Sequence, residues 1–277
     1  MAGGSFGCAR ARAGGQLVST DFAERWERWH TARERSVLAP HGVASLAITA
    51  WLTPDARVVD GAEGRWRGDG DRAVGSGLST AGYRDADGTP IGDEVTLRAG
   101  EILTDGEREL RAYARDGAPA LRVFDPQTAS RLRVAGIDAW EPREEWSVTA
   151  RFEPVDTPRE VESVDGHRSF AATTGLLHLV TPDGRERTLD ATVGADALSV
   201  VFADATSGRE SYRFRFLRVD LPDAEGRTRV DFTRAFLPPC AFSDHYVCPL
   251  PSARNRLDLA VEAGERVPRL REAADAL

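Results

Sequence analysis

Apolar and polar positions follow one rhythm near the start of the chain and another from residue 45 onward. Between residues 21 and 38, Phe22, Trp26, Trp29 and Val37 recur at helical spacing, and Thr20 or Asp21 can cap the segment. This predicts one long helix, with the tryptophan stripe as its docking face. From Ser45 the pattern turns to short alternating runs separated by turns. Asp69-Gly70, Asp87-Gly88, Asp105-Gly106, Asp116-Gly117, Asp165-Gly166 and Asp183-Gly184 are the kind of dipeptide that closes tight hairpins. The runs predict strands at Leu46–Leu52, Glu101–Leu103, Leu110–Ala114, Ala120–Phe124 and Arg131–Val134. Stronger ones follow at Trp146–Phe152, Arg159–Val164, Ser169–Thr173, Leu176–Val180, Arg187–Ala191, Leu198–Ala203, Tyr212–Val219, Thr228–Phe232 and Leu257–Ala263. Val267–Ala276 reads as a short terminal helix.

The expected fold is therefore mainly β: a flexible tail over 1–20, a helix over 21–40, and two β units. The charged stretch Glu141-Pro142-Arg143-Glu144-Glu145 is the candidate boundary. It separates a sandwich-like unit over 41–140 from a barrel or curved sandwich over 146–265, with a second tail over 266–277. Alternation puts Trp146, Val148, Ala150 and Phe152 on one face of their strand. It also puts an arginine on each face of Tyr212–Val219, Arg218 on one and Arg215 on the other. Neither face can be uniformly buried unless an arginine meets an acid or an anionic ligand.

Composition narrows the chemistry. The chain has 277 residues, 41% hydrophobic and 29% charged, in the ordinary globular range. No apolar run reaches the length of a membrane helix, and the opening residues lack the apolar core of a secretory signal, so the expectation is a cytoplasmic protein without membrane contact. Every one of the 36 basic residues is arginine. The absence of lysine excludes Schiff-base lysines, pyridoxal-phosphate attachment and a Walker-type phosphate loop. A net charge of −8 argues against nonspecific nucleic-acid binding, while a local arginine patch could still hold an anion. No G-x-G-x-x-G follows a strand and no G-x-S-x-G elbow is present, so no cofactor is expected and nucleophilic hydrolysis has little support.

The densest chemistry lies between Asp231 and Glu265, which holds two of the three cysteines, four of the fifteen prolines, an Asp/Arg pair, a histidine and Asn255. Its motifs are Asp231-Phe232-Thr233-Arg234-Ala235-Phe236, Pro238-Pro239-Cys240-Ala241-Phe242, Cys248-Pro249-Leu250-Pro251, Asn255-Arg256-Leu257 and Ala263-Gly264-Glu265. This string resembles the signature of the family known as domain of unknown function 1684. Ala150-Arg151-Phe152-Glu153-Pro154, the run from Asp204 to Tyr212, Arg215-Phe216-Leu217 and the tryptophan-bearing helix resemble it too. The likeness is specific in the C-terminal half and weak from 41 to 100. Thr233 stands where the pattern has Asn, Phe236 where it has Tyr, and Arg254 where an acidic or amide residue often precedes Asn255. The resemblance implies a forkhead-associated-like sandwich for the N-terminal half. The phosphopeptide-reading loop is not recognisable here, so phosphothreonine binding is not expected. The resemblance implies no activity.

Three readings follow. In the first, the segment 233–256 is a lid over the open end of the second β unit. Beneath it Arg215, Arg218, Asp231, Arg234, Asn255 and Tyr212 would bind a small anionic molecule through forked donors. Asp231 and Arg234 could equally pin the loop to the sheet, and Asn255 could tie it to the next strand through backbone bonds. In the second, the same segment is a hydrolase or a thiol- or metal-dependent enzyme. Cys240 and Cys248 could be a disulfide contributing roughly 2.5 kcal/mol, a packed pair or reactive thiols. A metal site of Cys240, His245 and Cys248 lacks both a short knuckle spacing and a fourth ligand. In the third, the chain is a structural interaction module whose helix docks an unidentified protein partner.

Overall fold

The computed structural model describes residues 20–155, 158–171 and 174–271. The expected tail with Cys8 lies outside them. The fold is mainly β with an N-terminal helix, α1 (Thr20–Val37). Eight strands come first: β1 (Leu46–Trp51), β2 (Arg57–Val59), β3 (Ala62–Asp69), β4 (Arg72–Ser76), β5 (Glu94–Leu97), β6 (Ile102–Thr104), β7 (Glu109–Arg115) and β8 (Ala118–Phe124). They form two antiparallel four-stranded sheets, ordered β1-β8-β7-β6 and β2-β3-β4-β5. Between the sheets lie Trp66, Leu97, Leu103, Leu110, Leu121 and Val123, all buried. All six Asp-Gly glycines adopt positive φ, the conformation for which glycine is suited at a tight turn.

A short helix, α2 (Ala129–Leu132), capped by Thr128, leads into β9 (Val134–Ala139). The expected strand over Arg131–Val134 is thus a helical turn followed by a strand, because the Thr128 hydroxyl accepts the Arg131 amide and starts the turn. Then come β10 (Ser147–Val155), β11 (Arg159–Glu162), β12 (Arg168–Ala171), β13 (Thr174–Val180), β14 (Glu186–Val193), β15 (Leu198–Phe202), β16 (Arg215–Val219), β17 (Arg227–Asp231) and β18 (Glu265–Leu270). Six of them make a curled sheet ordered β16-β15-β14-β13-β10-β17, whose edge strands β16 and β17 come back into contact to give a half-barrel. β11 pairs with β12 in a separate hairpin.

The concave side of the half-barrel is filled by its own chain. Phe232, Ala235, Val261 and Ala263 pack against Leu177, Leu189, Leu198, Val200, Phe202, Leu217 and Val230. The irregular segment after β17 is therefore core rather than a lid over a hollow. A third cluster joins the two groups of sheets: Leu46 and Phe124 meet Ala203, Phe214, Tyr246 and the two cysteines. Helix α1 docks through polar bonds as much as through its tryptophans. Trp26 donates its indole N–H to Thr233 O (2.7 Å), Arg33 donates to Leu237 O (2.9 Å), and Glu34 accepts the Ile137 amide (2.7 Å).

Two further expectations are corrected. Glu265–Leu270 is a strand paired antiparallel with β9, not the start of a helix over 267–276; residues beyond 271 lie outside the described set. Two register shifts accommodate Pro268, which brings no N–H to the ladder. Leu257–Ala263 forms no strand: the chain bends at Asp258 and Leu259 and meets the sheet at single bonds such as Leu257 N to Ala203 O (2.8 Å) and Ala205 N to Leu259 O (3.0 Å). Among the described residues no helix is long and apolar enough to cross a membrane.

Gly264 ends this buried stretch at φ +78°. A Cβ there would lie 2.5 Å from Ala235 O and 2.8 Å from Phe232 O. Left-handed strain and the backbone clash act together, so Gly264→Ala is expected to lower unfolding stability by about 3 kcal/mol or more. Denaturant titration checks this; a loss within experimental error would show that the segment is not packed as described.

Candidate functional site

The six residues expected to share a pocket separate into four places. Arg215, at the start of β16, is completely buried. One terminal nitrogen donates to Asp204 Oδ2 (2.7 Å) and Val261 O (2.9 Å), the other to Ala263 O and Glu265 O (3.3 Å). The guanidinium also lies over the rings of Trp140 (4.9 Å) and Phe202 (5.1 Å). Burial pulls its pKa down and Asp204 pushes it back up. Its partners are the acid the strand pattern demanded and three backbone carbonyls, so it holds the fold together. Beside it, Glu265 is buried with Arg33 Nε at 3.3 Å and the Leu237 amide donating to it at 2.7 Å. Burial pushes Glu265 up to about 7, against the pull of Arg33.

Asn255 bridges, but to strands far back in the chain rather than to the strand expected after it. β14 and β15 pair only at Thr192–Ser199 and Val193–Leu198. Farther along, the Asn255 side chain fills the gap. Its oxygen accepts the Asp190 amide (2.8 Å), and its nitrogen donates to Asp190 O (2.9 Å) and Val201 O (2.8 Å). The amide group replaces the missing rungs of the ladder.

Arg218, Asp231 and Arg234 do converge. They line a groove of about 500 Å³ between the first turns of α1 and the β10, β16 and β17 edge of the half-barrel. Phe22 and Trp26 form its apolar side, and Arg25 and Arg229 add two further guanidiniums. Asp231 caps the turn that follows β17, accepting from the Thr233 amide (3.1 Å) and hydroxyl (2.6 Å), and its other oxygen lies 3.7 Å from Arg234 Nε. Arg218 pairs with Asp196 (2.8 Å) and Arg25 with Asp21. Arg229 bonds only the Ser147 hydroxyl (3.0 Å), and among the described residues it has no carboxylate partner. Sequence reasoning missed Arg229, although strand alternation places it on the same face as Asp231. It also missed Arg25, which shares a helical face with Phe22 and Trp26.

Tyr212 lies apart from all of these. Its hydroxyl donates to Cys240 O (3.0 Å) and lies 3.7 Å from Cys240 Sγ. Cys240 and Cys248 are free thiols and both are buried. His245 is exposed and does not join them; its amide donates to the Ser243 hydroxyl. No group of three metal-ligating side chains occurs among the described residues.

The sequence profile described as a protein of unknown function (DUF1684) matches residues 133–266, from the start of β9 to the second residue of β18. An uncharacterized protein of Haloarcula marismortui, solved by solution NMR, is 33% identical; the match covers 47% of this chain and 76% of that one, with a TM-score of 0.39. The chain belongs to the DUF1684 family. Comparison with curated proteins returns no match. The profile takes in the whole half-barrel, Arg215, Asn255 and both cysteines of this DUF1684 protein, and none of the first eight strands.

Two outcomes follow for the buried charges. Arg215→Ala strands Asp204 and three carbonyls, and should cost about 3–5 kcal/mol in denaturant unfolding. Glu265 binds its proton more tightly folded than unfolded, so the stability it contributes is complete below about 4.5 and is lost as pH rises through about 7. Glu265→Gln should therefore flatten the decline in unfolding free energy across that window. Parallel pH profiles of the two proteins would reject the assignment.

Proposed function

We propose that this DUF1684 protein is a cytoplasmic binding protein for a small anion bearing carboxylate or phosphate groups, held in the groove between α1 and the half-barrel. The observation that carries the reading is Arg229, a guanidinium facing the groove without a carboxylate partner among the described residues. Of the groove's other arginines, Arg25 pairs with Asp21, Arg218 with Asp196 and Arg234 lies beside Asp231, so Arg229 is the guanidinium left to meet an anion. Forked guanidinium donors match the planar geometry of carboxylate and phosphate oxygens. Phe22 and Trp26 offer an apolar wall to the ligand's carbon frame.

The test is thermal shift and calorimetry with inorganic phosphate and a set of di- and tricarboxylates at low salt. Binding should raise the melting temperature and weaken as ionic strength rises. Arg229→Ala should remove one charge-assisted contact worth about 1.5–3 kcal/mol, roughly tenfold or more in affinity. Stabilisation by none of these anions, or stabilisation that survives in the Arg229→Ala/Arg234→Ala double variant, rejects the groove.

A further inference from the structure

The groove leaves the two buried thiols unexplained. Cys240 sits in the 3-10 turn Pro239–Ala241 and Cys248 just before Pro249, so prolines fix the backbone beside each of them. The Cys240 amide donates to Cys248 Sγ at 3.4 Å, which brings the two cysteines together. The Cys248 carbonyl is tied to the Val164 amide (2.9 Å) and the Cys240 carbonyl to the Tyr212 hydroxyl (3.0 Å), which holds both ends of the loop in place.

The surroundings of the two sulfurs differ. Cys240 faces the Tyr212 hydroxyl at 3.7 Å. The guanidinium of Arg213, an exposed residue, lies over the Tyr212 ring (5.7 Å) and favours the thiolate of this sulfur. Both cysteines pack in the apolar cluster with Leu46, Phe124 and Tyr246, and only Cys240 meets the Tyr212 hydroxyl. The neighbouring Cys248, then Tyr212 and Arg213, hold the Cys240 thiol down to about 7. Cys240 and burial push Cys248 up. One sulfur is poised to be a thiolate at neutral pH while its neighbour keeps its proton, which is the asymmetry a two-step thiol oxidation requires.

We propose that Cys240 and Cys248 form a hydroperoxide-reactive dithiol, with Cys240 as the attacking sulfur and Cys248 as the resolving one. The Cys240 thiolate attacks one peroxide oxygen. The O–O bond breaks, and the other oxygen leaves as hydroxide or alkoxide and takes a proton from water. The sulfur is oxidised by two electrons to sulfenic acid and the peroxide is reduced by two. Cys248 sulfur then attacks the sulfenic sulfur; the S–S bond forms, the S–O bond breaks, and the departing hydroxyl carries off the Cys248 proton as water. Arg213 and Tyr212 are positioning residues that stabilise the thiolate. The idea is independent of the anion groove.

The experiment uses the full chain carrying Cys8→Ser, so that the pair supplies its only thiols. Hydrogen peroxide on the folded protein should remove both thiols, lower the mass by two hydrogens and yield a Cys240–Cys248 crosslinked peptide. With Cys248→Ser added, oxidation should stop at a sulfenic acid on Cys240 that a 1,3-dione probe traps. Arg213→Ala, a change at an exposed side chain, should slow oxidation at neutral pH several-fold and move the midpoint of the rate–pH profile upward from about 7. Retention of both thiols under peroxide that oxidises free cysteine overturns the proposal. So does a rate–pH profile that Arg213→Ala leaves unchanged.

Discussion

The half-barrel depends on the guanidinium of Arg215. The chain from Leu257 to Gly264 crosses the half-barrel outside any strand, with Val261, Ala263 and Gly264 buried, and backbone buried in that way leaves carbonyls that must be satisfied or tolerated at a cost. Arg215 meets the carbonyls of Val261, Ala263 and Glu265 from one side chain, and Asp204 balances its charge. Asp204 also accepts from the amides of Thr206 and Val261, so one carboxylate fixes the turn after β15 and the same buried segment.

Asn255 solves a related problem by another route. A sheet that curls strongly tends to split between neighbouring strands, and here the opening falls between β14 and β15. A side-chain amide carries the same donor and acceptor groups as a peptide unit, so it can complete the ladder where the backbone has parted. The same split gives Ser252 and Arg254 access to Asp190, the former through a 2.6 Å hydrogen bond, the latter at 3.4 Å. The proline-rich loop is thus fastened to the sheet along its length.

Strand alternation made most of the half-barrel legible in the sequence, because β10, β13, β14, β15 and β17 each bury one face against the core. In the first unit it anticipated β1, β6, β7 and β8 but missed β2 to β5, where β3 reads Ala-Glu-Gly-Arg-Trp-Arg-Gly-Asp. There a single tryptophan supplies the apolar face, and glycines make room for it: a Cβ on Gly75 would lie 2.8 Å from the Trp66 ring. Such packing leaves no periodic signal. The site was legible only in part. Residue type named Arg215 and Asn255 as polar groups under constraint but could not say that their partners were backbone carbonyls far along the chain. Arg218, Asp231 and Arg234 line one groove, whereas Arg25 enters it through a tertiary contact of α1 that no local pattern encodes.

The pairing of β18 with β9 sets Val134 opposite Leu270, and the Trp140 amide donates to Gly264 O. The stretch that carries the family signature therefore enters and leaves at one place, its two ends laced into a common ribbon. Geometry of that kind suits a cassette: a chain can detour through it and resume its course without a long return path.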